Sequence, residues 1–371
     1  MLKGHPKGLI SAALSNMGER FGYYIMNAVL TLFLCSKFGL SDATAAIIYS
    51  CFYCGIYILS LVGGIIADKT QNYKGTIQKG LLTMAAGYIL LAIPITATSA
   101  NTSWLLPLTC FALLMIAFGN GLFKGNLQAI VGQMYDNFEA EEAKKGPEAL
   151  KIAKEKRDSG FQIFYVFINI GGLIAPFVAP LIRSWWLKVN GFIYNAKLPA
   201  LCHEQLSGTL SGDKLENYTK LSSEAVLNAG STFDPNAYLE VFNQGVHFSF
   251  IASVLAMLIS LTIFLCTKKG FPTPAKKAAT ESVNYTPEEK AAMAKEIKQR
   301  LYALFAVLGI AIFFWFSFHQ NGASFSLFAR DFMDTSTVAP EFLQAINPFF
   351  VIVLTPVIMA IFGALARKGK T

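Results

Sequence analysis

Residues 8–35, GLISAALSNMGERFGYYIMNAVLTLFLC, set the fold class of this chain. The segment is longer than the roughly 20 apolar residues that a helix needs to cross a bilayer. In hydrocarbon every backbone N–H and C=O needs an internal partner, so a spanning segment of this kind is predicted to be a helix. Near its middle it carries Glu19 and Arg20, and charges inside a membrane span are costly and usually functional. We therefore predict a membrane helix that faces a polar interior.

Six polar side chains of this segment fall on one face of the predicted helix. They are Asn16, Glu19, Arg20, Tyr23, Tyr24 and Asn27, at positions i, i+3, i+4, i+7, i+8 and i+11. Such a face cannot point at lipid, so it either lines a cavity or packs against polar partners. We expect a cavity. An ion-pair network that only holds the helices together is the alternative.

The rest of the chain repeats this apolar pattern. Of its 371 residues, 54% are hydrophobic and 15% are charged, whereas soluble domains carry about 25% charged residues. Apolar segments occur at roughly 8–35, 44–67, 77–99, 103–136, 158–186, 245–267, 297–331 and 340–366. We therefore predict an all-α membrane protein with eight spanning helices.

The positive charges predict how the chain lies in the membrane. Lysine and arginine concentrate near the N-terminus, after residue 366 and in the connections that follow the second, fourth and sixth segments. Cytoplasmic loops carry such an excess, so we expect a multi-pass protein of the plasma (inner) membrane with a cytoplasmic N-terminus. This distribution accounts for the net charge of +8, and nucleic-acid binding is not expected. The long loop 187–244, with Asn217 in an Asn-Tyr-Thr sequon, then lies outside.

Three parts are predicted along the chain. Residues 1–267 form a six-helix bundle, 268–296 form a cytoplasmic linker, and 297–371 form the first two helices of a second bundle. Carriers built from two bundles place about six helices in each. Because the second predicted bundle has only two helices, we expect that its remaining helices are missing from this sequence.

The predicted fourth helix supplies a second cation within the membrane. Asn120, Lys124 and Gln128 recur every four residues and therefore share one face. We expect Lys124 to pair with Glu19, which leaves Arg20 free to hold an anionic ligand group with its planar, bidentate guanidinium. The alternative is that Lys124 lies near a helix end and extends to the membrane surface.

Polar stripes on four further predicted helices are candidates for the same cavity. They comprise Tyr49, Tyr53 and Tyr57; Gln162, Tyr165 and Asn169; Trp315, His319, Gln320, Asn321 and Ser324; and Gln344 with Asn347-Pro348. The tyrosine stripe is equally typical of an interfacial belt. A histidine titrates near neutrality, which would suit proton transfer at His319. A structural histidine with satisfied hydrogen bonds is the alternative there.

Nothing in the sequence predicts an enzyme. The four histidines are far apart and show no ligand spacing; they are His5, His203, His247 and His319. No GxSxG or HExxH motif occurs. Cys51 and Cys54 form a CxxC inside an apolar segment, where two packing residues are the simpler interpretation. We expect no catalytic residues, no metal and no cofactor.

Five motifs, in order along the chain, are similar to those of the proton-coupled oligopeptide transporters of the major facilitator superfamily. Glu19–Tyr24 resembles the latter part of the family signature ExxERFxYY, and Gly63–Lys69 resembles the loop motif of the superfamily. Gly160–Gly171 resembles the family's helix 5, Phe314–Ala329 its helix 7, and Asn347-Pro348 its helix 8. The resemblance implies a major facilitator helical bundle that imports di- and tripeptides by proton symport, with alternating access around a site at mid-membrane.

The resemblance also implies roles for single residues. Those that align with substrate-binding positions are Arg20, Tyr23, Tyr24, Tyr57, Lys124, Asn169, Trp315 and Asn347. Those that align with the proton-coupling and gating network are Glu19, Lys124, His319, Asn16 and Asn27.

Three of these positions depart from the family pattern. Asn16 replaces a glutamate, Asn27 an arginine, and His319 the glutamate partner of that arginine. We hypothesise that Glu19 and His319 take over proton binding. The alternative is a carrier of another small anionic solute on the same fold, with altered or absent proton coupling.

Overall fold

The computed structural model describes residues 4–228, 232–273, 287–335 and 338–367. Within these ranges the chain is predominantly helical, which confirms the all-α class. The helices are α1 (Leu9–Phe38), α2 (Asp42–Thr70), α3 (Tyr73–Ala92), α4 (Thr102–Ala143), α5 (Pro147–Val189), α6 (Leu198–Leu206), α7 (Asp213–Glu224), α8 (Pro235–Thr267), α9 (Pro287–Phe318), α10 (Ser324–Phe332) and α11 (Ile346–Arg367). Short 3-10 turns occupy Lys268–Gly270, His319–Gly322 and Pro340–Ala345.

Seven spans among the described residues are long and apolar enough to cross a membrane. They lie in α1, α2, α4, α5, α8, α9 and the segment Pro340–Leu365. The predicted segment 77–99 is helical as α3, but it has only 20 residues, and Lys74 and Lys79 reduce the apolarity of its first half. The chain is thus a multi-pass helical membrane protein, and the count of eight spans stays a prediction.

Several helix boundaries differ from those of the predicted segments. The segment 297–331 is divided, because α9 ends at Phe318 and the backbone of Ala323, after Gly322, leaves the helical region before α10 begins. Helix α8 begins at Pro235 and not near 245, because Asp234 caps it by accepting a hydrogen bond from the backbone N–H of Asn236. The loop 187–244 also contains α6 and α7, and α9 begins inside the predicted linker 268–296, whose residues 274–286 lie outside the described ranges.

Helix α1 is the central helix of the N-terminal part of the chain. In the most apolar stretch of α1, 83% of the residues are buried, whereas in the corresponding stretches of α2, α4, α5 and α8 only 22–56% of the residues are buried. It packs against α5 and α8, while α4 packs against α2 and α3. The backbones of α2 and α4 touch at Gly63, where an added Cβ would lie 2.1 Å from the carbonyl oxygen of Gly121. This packing holds the polar face of α1 in the interior.

The C-terminal part joins the N-terminal part at one end of the molecule, which we call the α1/α2 end because α1 ends and α2 begins there. Gln344 Nε2 donates to the carbonyl oxygen of Ala28 at 3.3 Å, and Arg330 bonds to Asp42 at the start of α2. The 3-10 turn Pro340–Ala345 and α11 pack against α5. By contrast, none of the residues in the most apolar stretches of α9 and of Pro340–Leu365 is buried within the described structure.

Candidate binding cavity

A cavity of about 240 Å³ lies where the polar face of α1 meets α2, α4, α5, the end of α9 and the start of α11. Its polar and aromatic lining comprises Arg20, Tyr23, Tyr24, Asn27, Tyr49, Tyr53, Tyr57, Lys124, Gln128, Tyr165, Asn169, Trp315, Phe318, His319, Asn321, Gln344 and Asn347. Among the described residues that line it there is no aspartate or glutamate. No group of three or more His, Cys, Asp or Glu side chains in the described ranges could hold a metal ion.

The structure brings the predicted site residues together. All of the residues that the resemblance aligns with substrate binding line this cavity, as do Asn27, Lys124 and His319 of the gating set. Glu19 and Asn16 lie behind the lining and are 0% and 5% exposed. The role of each residue stays a prediction.

The predicted Glu19–Lys124 pair is wrong, because Glu19 pairs with its neighbour Arg20. Arg20 Nε donates to Glu19 Oε2 at 2.5 Å and Nη2 donates to Oε1 at 2.6 Å. Asn120 Nδ2 on α4 donates to the same Oε1 at 2.9 Å. A planar guanidinium engages both carboxylate oxygens, whereas an ammonium is a point charge. This bidentate fit accounts for the change of partner.

Lys124 has no carboxylate within salt-bridge distance in the part of the chain that the structure describes. Its Nζ lies 5.6 Å from the ring centroid of Tyr57, a cation–π distance. The charges of Glu19 and Arg20 cancel, so the charge that remains at the cavity wall is that of Lys124. Lys124 is partly buried, and a charge that has lost part of its water is stabilised by an opposite charge. The cavity is therefore suited to an anionic group.

His319 lies in an aromatic cluster at the end of α9. The ring of Trp315 stacks on it with centroids 5.4 Å apart, and the ring of Tyr53 meets it edge-on at 4.7 Å. Its Nε2 lies 3.4 Å from Tyr57 Oη, while its Nδ1 is buried and has no hydrogen-bond partner among the described residues. An imidazole nitrogen without a partner can bind or release a proton, or form a hydrogen bond with a molecule that enters the cavity.

Side-chain amides line the same cavity. Asn169 Nδ2 donates to the carbonyl oxygen of Tyr165 at 2.9 Å, which fixes the orientation of this amide on α5. Asn27 Oδ1 is buried and lacks a hydrogen-bond partner within the described ranges. Amide side chains both donate and accept hydrogen bonds, so they can pair with the N–H and C=O groups of a peptide backbone.

Six lining residues with a hydroxyl or amide group were not among the predicted site residues: Tyr49, Tyr53, Gln128, Tyr165, Asn321 and Gln344. Each belongs to a polar stripe seen in the sequence, so the signal was present. The stripe on α2 fitted an interfacial belt equally well, so the sequence did not decide whether its tyrosines line the cavity. Ile56, Ile168 and Phe318 also line the cavity. An apolar residue in an apolar helix gives no sequence signal of such a position.

Comparison with known proteins gives a family match. The family model PTR2, described as POT family, matches residues 74–285 and 273–371. The chain is similar to the peptide transporter YePEPT of Yersinia enterocolitica subsp. palearctica, with 27% identity over 384 residues that cover 98% of this chain and 69% of that protein. It is also similar to dipeptide and tripeptide permease B of Photorhabdus luminescens, with 26% identity that covers 98% of this chain and 68% of that protein.

Solved structures show the same fold. A crystal structure of a POT family transporter in complex with a thioalcohol conjugated peptide superposes with a TM-score of 0.61 at 19% identity and covers 99% of this chain and 72% of that chain. A POT family transporter in complex with 5-aminolevulinic acid gives a TM-score of 0.59 at 19% identity, with the same coverage. At this level of identity the likeness establishes the fold alone.

Proposed function

Because the chain belongs to the POT family, we propose that it imports di- and tripeptides in symport with protons. The observation that carries this proposal is the cavity itself. It sets one cation without a carboxylate partner, Lys124, among amide and aromatic side chains, and no acidic side chain of the described chain lines it. A short peptide offers matching groups, since it has a carboxylate at one end and backbone amides behind it.

We place the peptide carboxylate between Lys124 and Arg20. Arg20 uses Nε and Nη2 for Glu19, which leaves the N–H groups of Nη1 for a ligand. Lys124 supplies the charge that the carboxylate neutralises. Hydrogen bonds between ionised groups are about twice as strong as neutral ones, so this end of the cavity supports binding of the charged C-terminus.

The remaining groups then hold the body of the peptide. In this proposal the backbone and side chains contact Tyr23, Tyr24, Tyr57, Asn169, Asn347 and Trp315. Buried amides need hydrogen-bond partners to offset their loss of water, and the hydroxyl and amide groups of this set supply them. The aromatic rings offer apolar area without demanding a particular side chain, which suits a carrier of many short peptides.

Transport in this proposal follows from rocking of two helix bundles about the cavity. The protein lies in the inner membrane with a cytoplasmic N-terminus and eight spans, α3 among them. The α1/α2 end, where the described contacts between the N-terminal and C-terminal parts concentrate, then faces outward. Lipid covers the apolar surfaces of the outer helices.

The proton is the coupling ion in this proposal, and no cofactor takes part. Glu19 holds Arg20 beside the cavity, and His319, which lines the cavity, has an Nδ1 without a hydrogen-bond partner in the described chain. A proton on Glu19 would weaken its hold on Arg20, and a proton on His319 would add charge beside Tyr57 and Trp315. Either event changes how the cavity attracts an anion, and this links proton binding to peptide binding.

A second candidate function is transport of another small anionic solute with altered or absent proton coupling. The charge of Lys124, which has no partner in the described chain, favours any compact anion of suitable size. Neutral side chains stand at Asn16 and Asn27, where the resemblance expects charges that serve proton coupling. Transport assays separate this candidate from the first.

The test is uptake of labelled dialanine into proteoliposomes that contain the protein, with and without an inward proton gradient. The proposal expects uptake that the gradient stimulates and that Arg20→Ala abolishes. If dialanine is bound or taken up but the proton gradient does not stimulate its uptake, the peptide substrate would be supported and proton coupling would not. An absence of dialanine binding would overturn the peptide proposal in favour of another anion.

A further inference from the structure

A cavity of about 400 Å³ lies at the end of the molecule opposite the α1/α2 end, where α3 begins and α8 ends. Six residues line it, and three of them are lysines: Asn72, Lys74, Gly75, Gln78, Lys268 and Lys269. No aspartate or glutamate of the described chain is among them. The lining therefore carries three positive charges and no negative one. The peptide site proposed above makes no use of this cavity.

The three lysines also lack carboxylate partners outside the lining. Lys145 and Arg157, at the same end of the molecule, both pair with carboxylates of α4. By contrast, Lys74, Lys268 and Lys269 have no carboxylate within salt-bridge distance in the part of the chain that the structure describes. Their charge is therefore left for a molecule that is not part of the described chain.

Lys268 and Gln78 connect α8 to α3 at this cavity. Nζ of Lys268 donates to Oε1 of Gln78 at 3.0 Å, which leaves two N–H groups of the ammonium and the amide NH₂ of Gln78 without a partner among the described residues. Oδ1 of Asn72 is already used, because it caps α3 by accepting from the N–H of Gly75 at 2.9 Å. The groups that remain are donors, as a ligand with anionic oxygens requires.

An exposed apolar stripe leads away from the cavity on each of the two helices. On α3, Leu82 lies one turn beyond Gln78, and Ile89 follows on the same face; they are 49% and 51% exposed. On α8, three exposed apolar residues recur every seven positions ahead of the lysines: Leu265, Leu258 and Ile251. Helices α3 and α8 pack against each other. A cationic cavity continued by two apolar stripes matches the two halves of a phospholipid.

We propose that this cavity binds the headgroup of an anionic phospholipid, whose acyl chains lie along the exposed faces of α3 and α8. The phosphate oxygens accept hydrogen bonds from the ammonium groups of Lys74, Lys268 and Lys269 and from the amide of Gln78. Basic pockets between membrane helices hold anionic headgroups in this way. In the orientation proposed above this end faces the cytoplasm, so the lipid belongs to the cytoplasmic leaflet.

Lys79 distinguishes a specific site from the general attraction of lysines to a membrane surface. Lysines that only orient a protein in the membrane need no cavity. Lys79 is exposed, lies next to Gln78 on α3 and has no carboxylate partner in the described ranges, but it does not line the cavity. Its removal therefore lowers the general attraction without touching the proposed site.

Native mass spectrometry of the full chain in a neutral detergent, titrated with dioleoylphosphatidylglycerol, tests the proposal. Dioleoylphosphatidylcholine, with the same acyl chains and no net charge, is expected to bind roughly 30-fold or more weakly. We expect Lys268→Gln to lower the affinity for phosphatidylglycerol roughly 5-fold, and Lys74→Gln with Lys268→Gln roughly 30-fold. Lys268→Arg, which keeps the charge, should retain binding, and Lys79→Gln should change it by less than about 2-fold.

Four results would overturn the proposal. The two lipids might bind the unmodified chain equally, the double variant might bind phosphatidylglycerol as the unmodified chain does, or Lys79→Gln might weaken binding as much as Lys268→Gln. The fourth is displacement of the lipid by an equal concentration of glycerol 3-phosphate, which would assign the cavity to a soluble phosphate compound. The comparison of the two lipids uses the unmodified chain, so it holds whether or not a variant folds. None of these results depends on whether the protein carries peptides.

Discussion

Two buried arginine–glutamate pairs in this molecule differ in where their partners lie. Glu19 and Arg20 are adjacent on α1 and are joined by two hydrogen bonds, with a third to Glu19 from Asn120. Arg183 and Glu341 belong to different parts of the chain and share one hydrogen bond, while three of their polar atoms lack partners in the described structure. The first pair therefore persists whatever the two parts do, and the second exists only while the α1/α2 end is closed.

This contrast identifies the groups that set the charge of the cavity. While Glu19 is ionised, the Glu19–Arg20 pair leaves the wall nearly neutral, so Lys124 determines what the cavity attracts. The Arg183–Glu341 pair does not line the cavity. It joins α5 to the turn Pro340–Ala345 at the α1/α2 end, which closes the cavity. Four substitutions test these assignments.

Glu19→Gln is expected to have the largest effect. It leaves Arg20 buried without its counter-charge, and removing one partner of a buried ion pair costs about 3–5 kcal/mol. We expect a clear fall in the melting temperature of the detergent-purified protein and loss of gradient-driven uptake. Asn16→Ala, also buried on α1 but uncharged, is the control and should lower the melting temperature much less. Equal melting temperatures for Glu19→Gln and the unmodified protein would contradict a compensated pair.

Lys124→Ala is expected to act on binding and not on stability. Loss of a charge-assisted contact to the peptide carboxylate weakens binding by about 2–3 kcal/mol, or roughly 30- to 150-fold in Kd. The melting temperature of the empty protein should stay the same or rise, because Lys124 has no carboxylate partner in the described structure to lose. Equilibrium binding of dialanine and a thermal shift without peptide measure the two effects. A large fall in the melting temperature would indicate that the lysine has a structural partner.

His319→Gln is expected to separate coupling from binding. Glutamine keeps a polar group beside Tyr57 but cannot take up a proton near neutrality. We expect the stimulation of uptake by a proton gradient to be lost, because no group at this position can then titrate, while binding of dialanine at constant pH changes little. Gradient stimulation that survives unchanged in this variant would remove His319 from the coupling mechanism.

Asp42→Asn is expected to have the smallest effect. The side chain of Asp42 is 46% exposed, so solvent screens its side of the pair. Arg330 is only 9% exposed, but it keeps Asp331 as a second carboxylate partner when Asp42 is neutralised. Pairs of this kind contribute about 0–1 kcal/mol, and the melting temperature should move by no more than a few degrees. Glu341→Gln measured beside it should lower the melting temperature further. If the two substitutions had equal effects, the distinction between the exposed pair and the buried pair would fail.

Much of the fold follows from the sequence because hydrocarbon leaves a long apolar segment few choices. The periodic polar face from Asn16 to Asn27 placed α1 in the interior, and the residues predicted from it and from the resemblance line one cavity. The break between α9 and α10 was missed because an apolar helix tolerates a single glycine such as Gly322. The early start of α8 was missed because four polar residues interrupt the apolar pattern ahead of residue 245: Asn236, Glu240, Asn243 and Gln244.

The sequence could not predict which of the charged side chains pair with each other. Glu19, Arg20 and Lys124 were each identified as buried charges, but spacing along a helix does not decide which of two cations a carboxylate meets. The Glu341–Arg183 pair was missed entirely, since both residues lie near predicted segment ends where charges are ordinary. Only the approach of the turn Pro340–Ala345 to α5 turns them into a buried pair.

The role of Lys124 is tested most directly by measuring how dialanine and dialanine amide, which lacks the terminal carboxylate, bind to the unmodified protein and to Lys124→Ala. If Lys124 holds the carboxylate, the amide binds the unmodified protein roughly 30-fold or more weaker than the acid, and this preference largely disappears in Lys124→Ala. Equal binding of the two ligands to the unmodified protein, or a preference that the substitution leaves intact, would contradict a peptide site organised around Lys124.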